Sequence, residues 1–302
     1  MNINTNSQIE RSMDKCQRFR ALLNSTQAEM ILEAHNGMSA KIVEQAGFPA
    51  VWASGLSISS SLGLRDCNEA SWSQILDIAE FINDSVDVPV LFDGDSGFGN
   101  FNNVRHVVKK LSQYGIAGIS LEDKVYPKMN SFIKGAHSLV SIEEFEGKIK
   151  AAQDAKQNSD FSVIARTETL IAGLSVDEAL RRAERYHLAG ADAIFIHSKK
   201  SDATEILEFA KLWEKRCPLV VAPTTYADIP PETLYQAGIN VYICANHLMR
   251  ASLKAMQLAA NKIYKARSIG HINSDIATLS EVFNLLDYSE LKDAEQAYTP
   301  II

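Results

Sequence analysis

The sequence predicts a (β/α)8 barrel of the TIM type, an α/β fold, with a leading helix and a C-terminal helical tail. Three observations carry that reading. Short apolar runs rich in Val and Ile alternate with longer stretches of helical period, the pattern of parallel β/α units. Eight such runs can be counted, and about 250 residues suffice for a barrel of this kind. The remainder of the 302-residue chain then supplies the leading helix and the tail. Finally, an open doubly wound sheet would place G-x-G-x-x-G after its first strand, and neither that motif nor G-x-x-x-x-G-K-S/T occurs. One barrel domain over 1–302, with its tail at 268–302, is the expected organisation.

In chain order, a helix is expected over 7–23. Strands follow at 30–34, 50–53, 88–92, 116–121, 161–165, 191–196, 219–222 and 240–244, each a short apolar run. Helices such as 73–83 and 176–188 separate them. Between Asp123 and Ser141 the chain reads KVYPKMNSFIKGAHSLV, without helical or strand period and long for a βα connection. Such loops are often lids. Ser141 with Glu144 three residues on is a capping box that starts the next helix at 142.

Composition narrows the function classes. With 46% hydrophobic and 22% charged residues the chain is neither disordered, collagen-like nor a coiled coil. A formal net charge of −7, from 30 basic and 37 acidic residues, disfavours nonspecific binding to nucleic acid or anionic lipid. Small molecules or protein partners are the expected ligands. Cys16, Cys67, Cys217 and Cys244 form no C-x-x-C pair or metal-ligand spacing with His and are read as reduced thiols. The polar N-terminus has no signal or transit character, and no run of about 18 apolar residues exists. A soluble, cytoplasmic protein is expected.

A barrel of this type carries its active site at the carboxyl ends of the strands. The residues there are strongly polar: His35-Asn36, Ser54-Gly55, Asp93-Gly94-Asp95, Glu122-Asp123, Arg166, His197-Ser198, Pro223-Thr224-Thr225 and Asn246-His247. Strand alternation puts Asp93 and Asp95 on one side, with Glu122 ending the next strand. Three converging carboxylates need protons or a cation, and hard oxygen ligands favour Mg²⁺ or Mn²⁺ over zinc. The competing reading makes Asp95 a turn residue and pairs Glu122 with Lys124 or Arg166. Arg166 and Glu168 share a side, and His197 ends the following strand. A guanidinium opposite a metal describes a pocket for a small dianion. The turn Trp52-Ala-Ser-Gly-Leu56 adds backbone amides and a hydroxyl that can hold an anion. Lys128 and Asn130 are the polar loop residues able to swing over it.

These residues resemble the phosphoenolpyruvate mutase family of the isocitrate lyase superfamily over nearly the whole chain. The resemblance rests on WASGLSISSSLGLRDCNEAS (52–71), VLFDGDSGFGNFNN (90–103), LEDKVYPKMNS (121–131), ARTETLIAG (165–173) and ADAIFIHSKK (191–200). It implies a barrel whose last helix is exchanged between subunits of a homotetramer, a dimer of dimers. It implies Asp93 as the direct Mg²⁺ ligand, with Asp95 and Glu122 holding its waters and Mn²⁺ as the alternative ion. Trp52, Ser54, Gly55, Leu56 and Ser198 fall in substrate-binding positions, Arg166 and His197 on the phosphoryl side, and Lys128 with Asn130 in a mobile gate. Asp66, otherwise an unremarked turn or cap acid, is singled out by the resemblance alone.

The gate separates the members of the superfamily. Carbon–carbon lyases look like K-R/K-C-G-H there, where this chain has Lys128, Met129, Asn130, Ser131 and Phe132. Phosphonopyruvate hydrolases tend to carry Thr at the position of Asn130. Interconversion of phosphoenolpyruvate and phosphonopyruvate is therefore expected, ahead of hydrolysis, carbon–carbon cleavage or a noncatalytic metabolite-binding barrel. Two departures stand out: DGD where relatives often have DAD, and Ala-His after Gly135 where several have Arg. Glycine at 94 is expected only to loosen the backbone.

Overall fold

Eight parallel strands close on themselves in the order of the chain in a computed structural model that describes residues 13–133, 135 and 137–299. They are β1 (Glu29–Ala34), β2 (Val51–Ala53), β3 (Val90–Asp93), β4 (Gly118–Glu122), β5 (Ser162–Thr167), β6 (Ala193–Ile196), β7 (Leu219–Val221) and β8 (Val241–Cys244). β1 closes the barrel on β8, with Leu32 opposite Cys244. Sequence and structure agree on all eight strands, but their edges differ. The apolar residues Val88, Ile116 and Phe161 are buried without being paired, because they lie in the connections that lead into the ladder.

Alternation along the strands decides what fills the barrel and what crowns it. Trp52, Leu91, Ile164, Phe195, Val220 and Ile243 belong to one buried cluster. Removing any of the large ones would cost about 2–5 kcal/mol. Two residues further along, at the carboxyl ends, the same phase brings Ser54, Asp93, Arg166 and His197. The site is thus the top layer of the barrel interior. At the opposite end lies α1 (Lys15–Leu23), capped by Asp14 and Gln17, whose Phe19 and Leu23 join the same cluster. The rest of the expected leading helix, 7–12, lies outside the described residues.

The outer helices of the barrel are α2 (Gly37–Gln45), α3 (Gly55–Ser61), α4 (Trp72–Asp84), α5 (Phe101–Gln113), α6 (Ile142–Ala155), α7 (Val176–Leu188), α8 (Thr204–Trp213) and α9 (Pro231–Gln236). Most begin where a Ser or Asn accepts from the third helical amide, as Ser71 does from Gln74. At α6 half of the expected capping box forms: the Ser141 hydroxyl accepts from the Glu144 amide at 3.1 Å. The Glu144 carboxylate instead turns towards Lys148.

The chain separates into two compact units, one through His247 and one from Leu248. The second holds all but the first residue of α10 (His247–Ala266), together with α11 (Leu279–Leu285) and α12 (Tyr288–Tyr298). None of these helices has a buried residue. Among the described residues no helix is long and apolar enough to cross a membrane.

Candidate active site

Asp93 ends β3, and its Oδ2 accepts from the Gly55 amide at 3.1 Å. Gly55 opens α3 directly behind the acids. A Cβ there would lie 3.2 Å from Asp93 Oδ2 and 3.3 Å from Asp95 Oδ1, so the backbone forms one wall of the acidic corner. Asp95 lies beyond the strand in a left-handed conformation (φ 48°). Its Oδ2 accepts from Asn68 at 2.8 Å, while its backbone carbonyl accepts from the Glu122 amide at 2.8 Å. Asp93, Asp95 and Glu122 are all buried. Burial, reinforced by Asp93, Asp66 and Glu122 and opposed by Lys128, pushes the Asp95 carboxyl up to about 7. Glu122 Oε1 is buried without a hydrogen-bond partner, with Lys124 Nζ 3.8 Å away, while Arg166 Nε lies 3.4 Å from Glu122 Oε2, so both cations weighed as partners of Glu122 are beside it.

Beside this corner, reaching Glu122 through Arg166 and Lys124, is a charge-locked platform. Arg166 Nε donates to Glu168 Oε1 at 2.6 Å, and Lys124 Nζ pairs with Glu168 Oε2 at 2.9 Å. Burial alone would raise the Glu168 carboxyl, but the charges of Arg166, His197 and Lys124 outweigh it and hold the group well below the usual carboxylate range. The same balance, with the carboxylates winning over desolvation, keeps Arg166 protonated. Its guanidinium lies over the Phe195 ring, 4.8 Å from the centroid. His197 Nδ1 is 2.8 Å from Glu168 Oε1 and 2.9 Å from Arg166 Nη2. Nδ1 thus lies between an acceptor, Glu168 Oε1, and a donor, Arg166 Nη2, which fixes the ring's orientation and leaves Nε2 as the other ring nitrogen. Burial pushes the ring below its ordinary value, against the opposing pull of Glu168.

The segment after β4 spans the two halves. Lys128 Nζ lies 2.6 Å from Asp66 Oδ1 and 2.8 Å from Asp95 Oδ1. Desolvation would lower this buried amine, yet Asp95, Asp66, Glu122 and Asp93 together raise it well above the ordinary lysine value. Asn130 Nδ2 donates to Asp66 Oδ2 at 2.6 Å. The Lys128 charge and these hydrogen bonds overcome burial and lower the Asp66 carboxyl. Phe132 sets its ring edge-on to His197 at 5.7 Å. The enclosed pocket is lined by Trp52, Ser54, Leu56, Asp66, Asp93 and Asn130 on one side and by Arg166, Phe195 and His197 on the other.

Whether the acids suit a divalent ion can be judged from their donors. Among the described residues no three His, Cys, Asp or Glu side chains form a ready-made ligand set. A closed protein cage is not what Mg²⁺ requires, since it keeps several waters and binds through one or two carboxylates plus substrate. Asp93 lining the pocket, with the unpartnered Glu122 Oε1 and Asp95 behind it, fits an ion held by one carboxylate and by water.

A family model described as phosphoenolpyruvate phosphomutase matches residues 19–264. The chain belongs to the phosphoenolpyruvate phosphomutase family. Its similarity to the phosphoenolpyruvate phosphomutase of Tetrahymena pyriformis is 47% identity over 288 residues, covering 95% of this chain and 96% of the relative. The crystal structure of the phosphoenolpyruvate phosphomutase from Streptomyces platensis subsp. rosaceus superposes with a TM-score of 0.92 at 42% identity, over 94% of this chain and 99% of that one. A phosphonopyruvate hydrolase in complex with oxalate and Mg²⁺ superposes with a TM-score of 0.90 at 38% identity, over 95% of this chain and 100% of that one.

Within this member of the phosphomutase family, sequence reasoning and structure part at four places. Asp93 and Asp95 reach the same corner, but not by strand alternation, because β3 ends at Asp93 and Asp95 turns left-handed. The Gly55 amide expected to face an anion is spent on Asp93. Ser198 is not at the pocket: fully buried, it bonds Glu205 and receives the Lys200 amide at 3.1 Å. Gly94 is more than a loosened alanine, since a Cβ would lie 2.6 Å from Ile119 Cδ1 and 2.9 Å from the Ser120 carbonyl. Asn68, which holds Asp95 and accepts from the Lys128 amide at 2.7 Å, escaped notice. Its nearness to Asp66 in the chain was the available signal.

Proposed function

We propose that this enzyme interconverts phosphoenolpyruvate and phosphonopyruvate by intramolecular phosphoryl transfer. The observation that carries the reading is the pocket itself. The Arg166 guanidinium and the acidic corner line one pocket with Asn130 at its mouth, and among the described lining residues there is no thiol to act as the acid of a carbon–carbon lyase. The reaction breaks the bond between phosphorus and the enol oxygen, whose electron pair stays with pyruvate enolate. C3 of the enolate then bonds phosphorus, and the enol oxygen ends as a ketone. No net proton moves, so positioning and electrostatics carry the catalysis rather than acid–base chemistry.

Asp93 would hold Mg²⁺, or Mn²⁺ in its place, with Asp95 and Glu122 beside it to support the ion. When bound, that ion supplies Lewis-acid stabilisation of negative charge on the enol oxygen. Arg166 binds the phosphoryl oxygens, and His197, anchored through Nδ1, offers Nε2 to the same group. The dianion supplies the charge that favours the imidazolium form. Trp52, Ser54, Gly55 and Leu56 shape the wall that holds the pyruvate portion. Asp66 stands beside the transferring group, with Asn130 and Lys128 closing over it. Water is the competing acceptor, so exclusion by the loop separates isomerisation from hydrolysis.

The apolar surface of α10–α12 supports assembly into a homotetramer through exchanged C-terminal helices. Four free cysteines accord with a reducing, cytoplasmic setting. Two substitutions test the site. Asn130→Ala is expected to reduce mutase turnover about 100-fold or more while Mn²⁺ binding, read by electron paramagnetic resonance, stays intact. Asp93→Ala is expected to lose both. Near-normal turnover in the first, or unchanged ion affinity in the second, would contradict these assignments.

A further inference from the structure

The loop over the pocket is fastened at two ends, and the mechanism above uses one of them. Lys128 and Asn130 tie it to Asp66 and Asp95. At the other end Lys124 Nζ donates to the Met129 carbonyl at 3.0 Å, and the side-chain tie there is Ser131. Its side chain is buried, and its hydroxyl accepts from Lys124 Nζ at 2.6 Å while donating to Glu168 Oε2 at 2.5 Å. Arg166 Nη2 approaches the Ser131 hydroxyl oxygen at 3.4 Å. A single hydroxyl is thereby inserted into the ion network that holds the phosphoryl-side guanidinium.

Resting on the mutase reading, we infer that Ser131 is the latch that couples closure of the 125–133 loop to the Arg166–Glu168 platform, and so sets how the reaction divides between isomerisation and hydrolysis. Ser131 is a positioning residue: it acts through Glu168 and Arg166. A hydroxyl suits the task because it satisfies a donor and an acceptor together, and hydrogen bonds to charged groups are the stronger kind. The platform does not need it. Lys124 and Glu168 already pair at 2.9 Å and Arg166 with Glu168 at 2.6 Å, so an open loop leaves the cations neutralised and the barrel intact. An unlatched loop admits water to the phosphorus. The water oxygen then bonds phosphorus, the P–C3 bond of phosphonopyruvate (or the P–O ester bond of phosphoenolpyruvate) breaks with its electron pair leaving on pyruvate enolate, and the enolate takes at C3 a proton that the water has given up. The products are pyruvate and inorganic phosphate.

The test is Ser131→Ala in the full-length enzyme, with Ser131→Thr as the variant that keeps the hydroxyl. Amide hydrogen exchange across 125–133 is expected to accelerate roughly tenfold or more in the alanine variant, with Mn²⁺ affinity unchanged. With phosphonopyruvate and Mg²⁺, the ratio of phosphate to phosphoenolpyruvate is expected to rise, and the threonine variant to return both readouts towards wild type. Unchanged loop exchange overturns the latch. Faster exchange with an unchanged product ratio overturns its link to water exclusion. If the wild-type enzyme forms no phosphoenolpyruvate at all, the mutase reading fails by itself, and the exchange measurement still decides whether Ser131 holds the loop.

Discussion

Glu168 gathers four side chains at once: Arg166, His197, Lys124 and Ser131 all approach it within 2.9 Å. Breaking such a buried set from one side leaves uncompensated charge, so Glu168→Gln is expected to lower unfolding stability by about 3–5 kcal/mol in urea titrations. The pH dependence has a definite sign. The folded carboxyl titrates below its unfolded value, so its stabilisation is complete above about pH 4.3 and is lost as pH falls through the folded value. His197 slopes the same way: with its folded value depressed, the unfolded chain takes up the proton first as pH falls below about 6.5. Asp95, whose folded carboxyl is raised to about 7, slopes the opposite way between about pH 7 and 3.9, so the test lies in the acid limb: wild-type stability should fall below about pH 4.3, and Glu168→Gln should flatten that fall. An equally steep limb in the variant would remove Glu168 from that account. Arg166 and His197 were legible in the sequence because strand ends are read directly. Lys124 was legible only as a possible partner of Glu122, since burial and the identity of its stronger partner depend on the loop's path.

At the scale of elements, the segment after β3 shows where local pattern stops being informative. Alternation holds while the chain is paired, and once it leaves the ladder at Asp93 the side-chain directions are set by turns and packing. Gly94 illustrates it. Ile119 on β4 occupies the space that an alanine methyl would need, so the Gly-for-Ala departure is matched by a neighbour distant in sequence. Gly94→Ala is expected to destabilise by about 1–3 kcal/mol. Combined with Ile119→Ala it should cost less than the sum of the two changes, a coupling that a double-mutant cycle in denaturant measures. Strict additivity would show that the contact is not the constraint. The strands and the helices at 73–83, 142 onward and 176–188 could be read ahead of the structure because burial imposes period two or 3.6. The loop's closed path could not, because it is written in contacts between Asn130, Ser131 and residues up to 64 positions away.

Across the whole molecule, the first unit buries its own core, whereas in the second Met256 is 61% and Leu279 73% exposed. Apolar helices of that kind are expected to be covered by further copies of the chain. Met256→Asp combined with Leu279→Asp should therefore give a smaller particle in sedimentation velocity than wild type. An unchanged sedimentation coefficient would exclude those faces from the assembly. On the proposed reading, the barrel, the acidic corner and the Arg166 platform serve transfer of phosphorus between oxygen and carbon of one substrate without yielding it to water. The most direct measurement is a ³¹P NMR time course of the protein with Mg²⁺ and phosphonopyruvate. A growing phosphoenolpyruvate resonance that disappears on chelation is the predicted result, whereas inorganic phosphate as the product, or an unchanged spectrum, would contradict it.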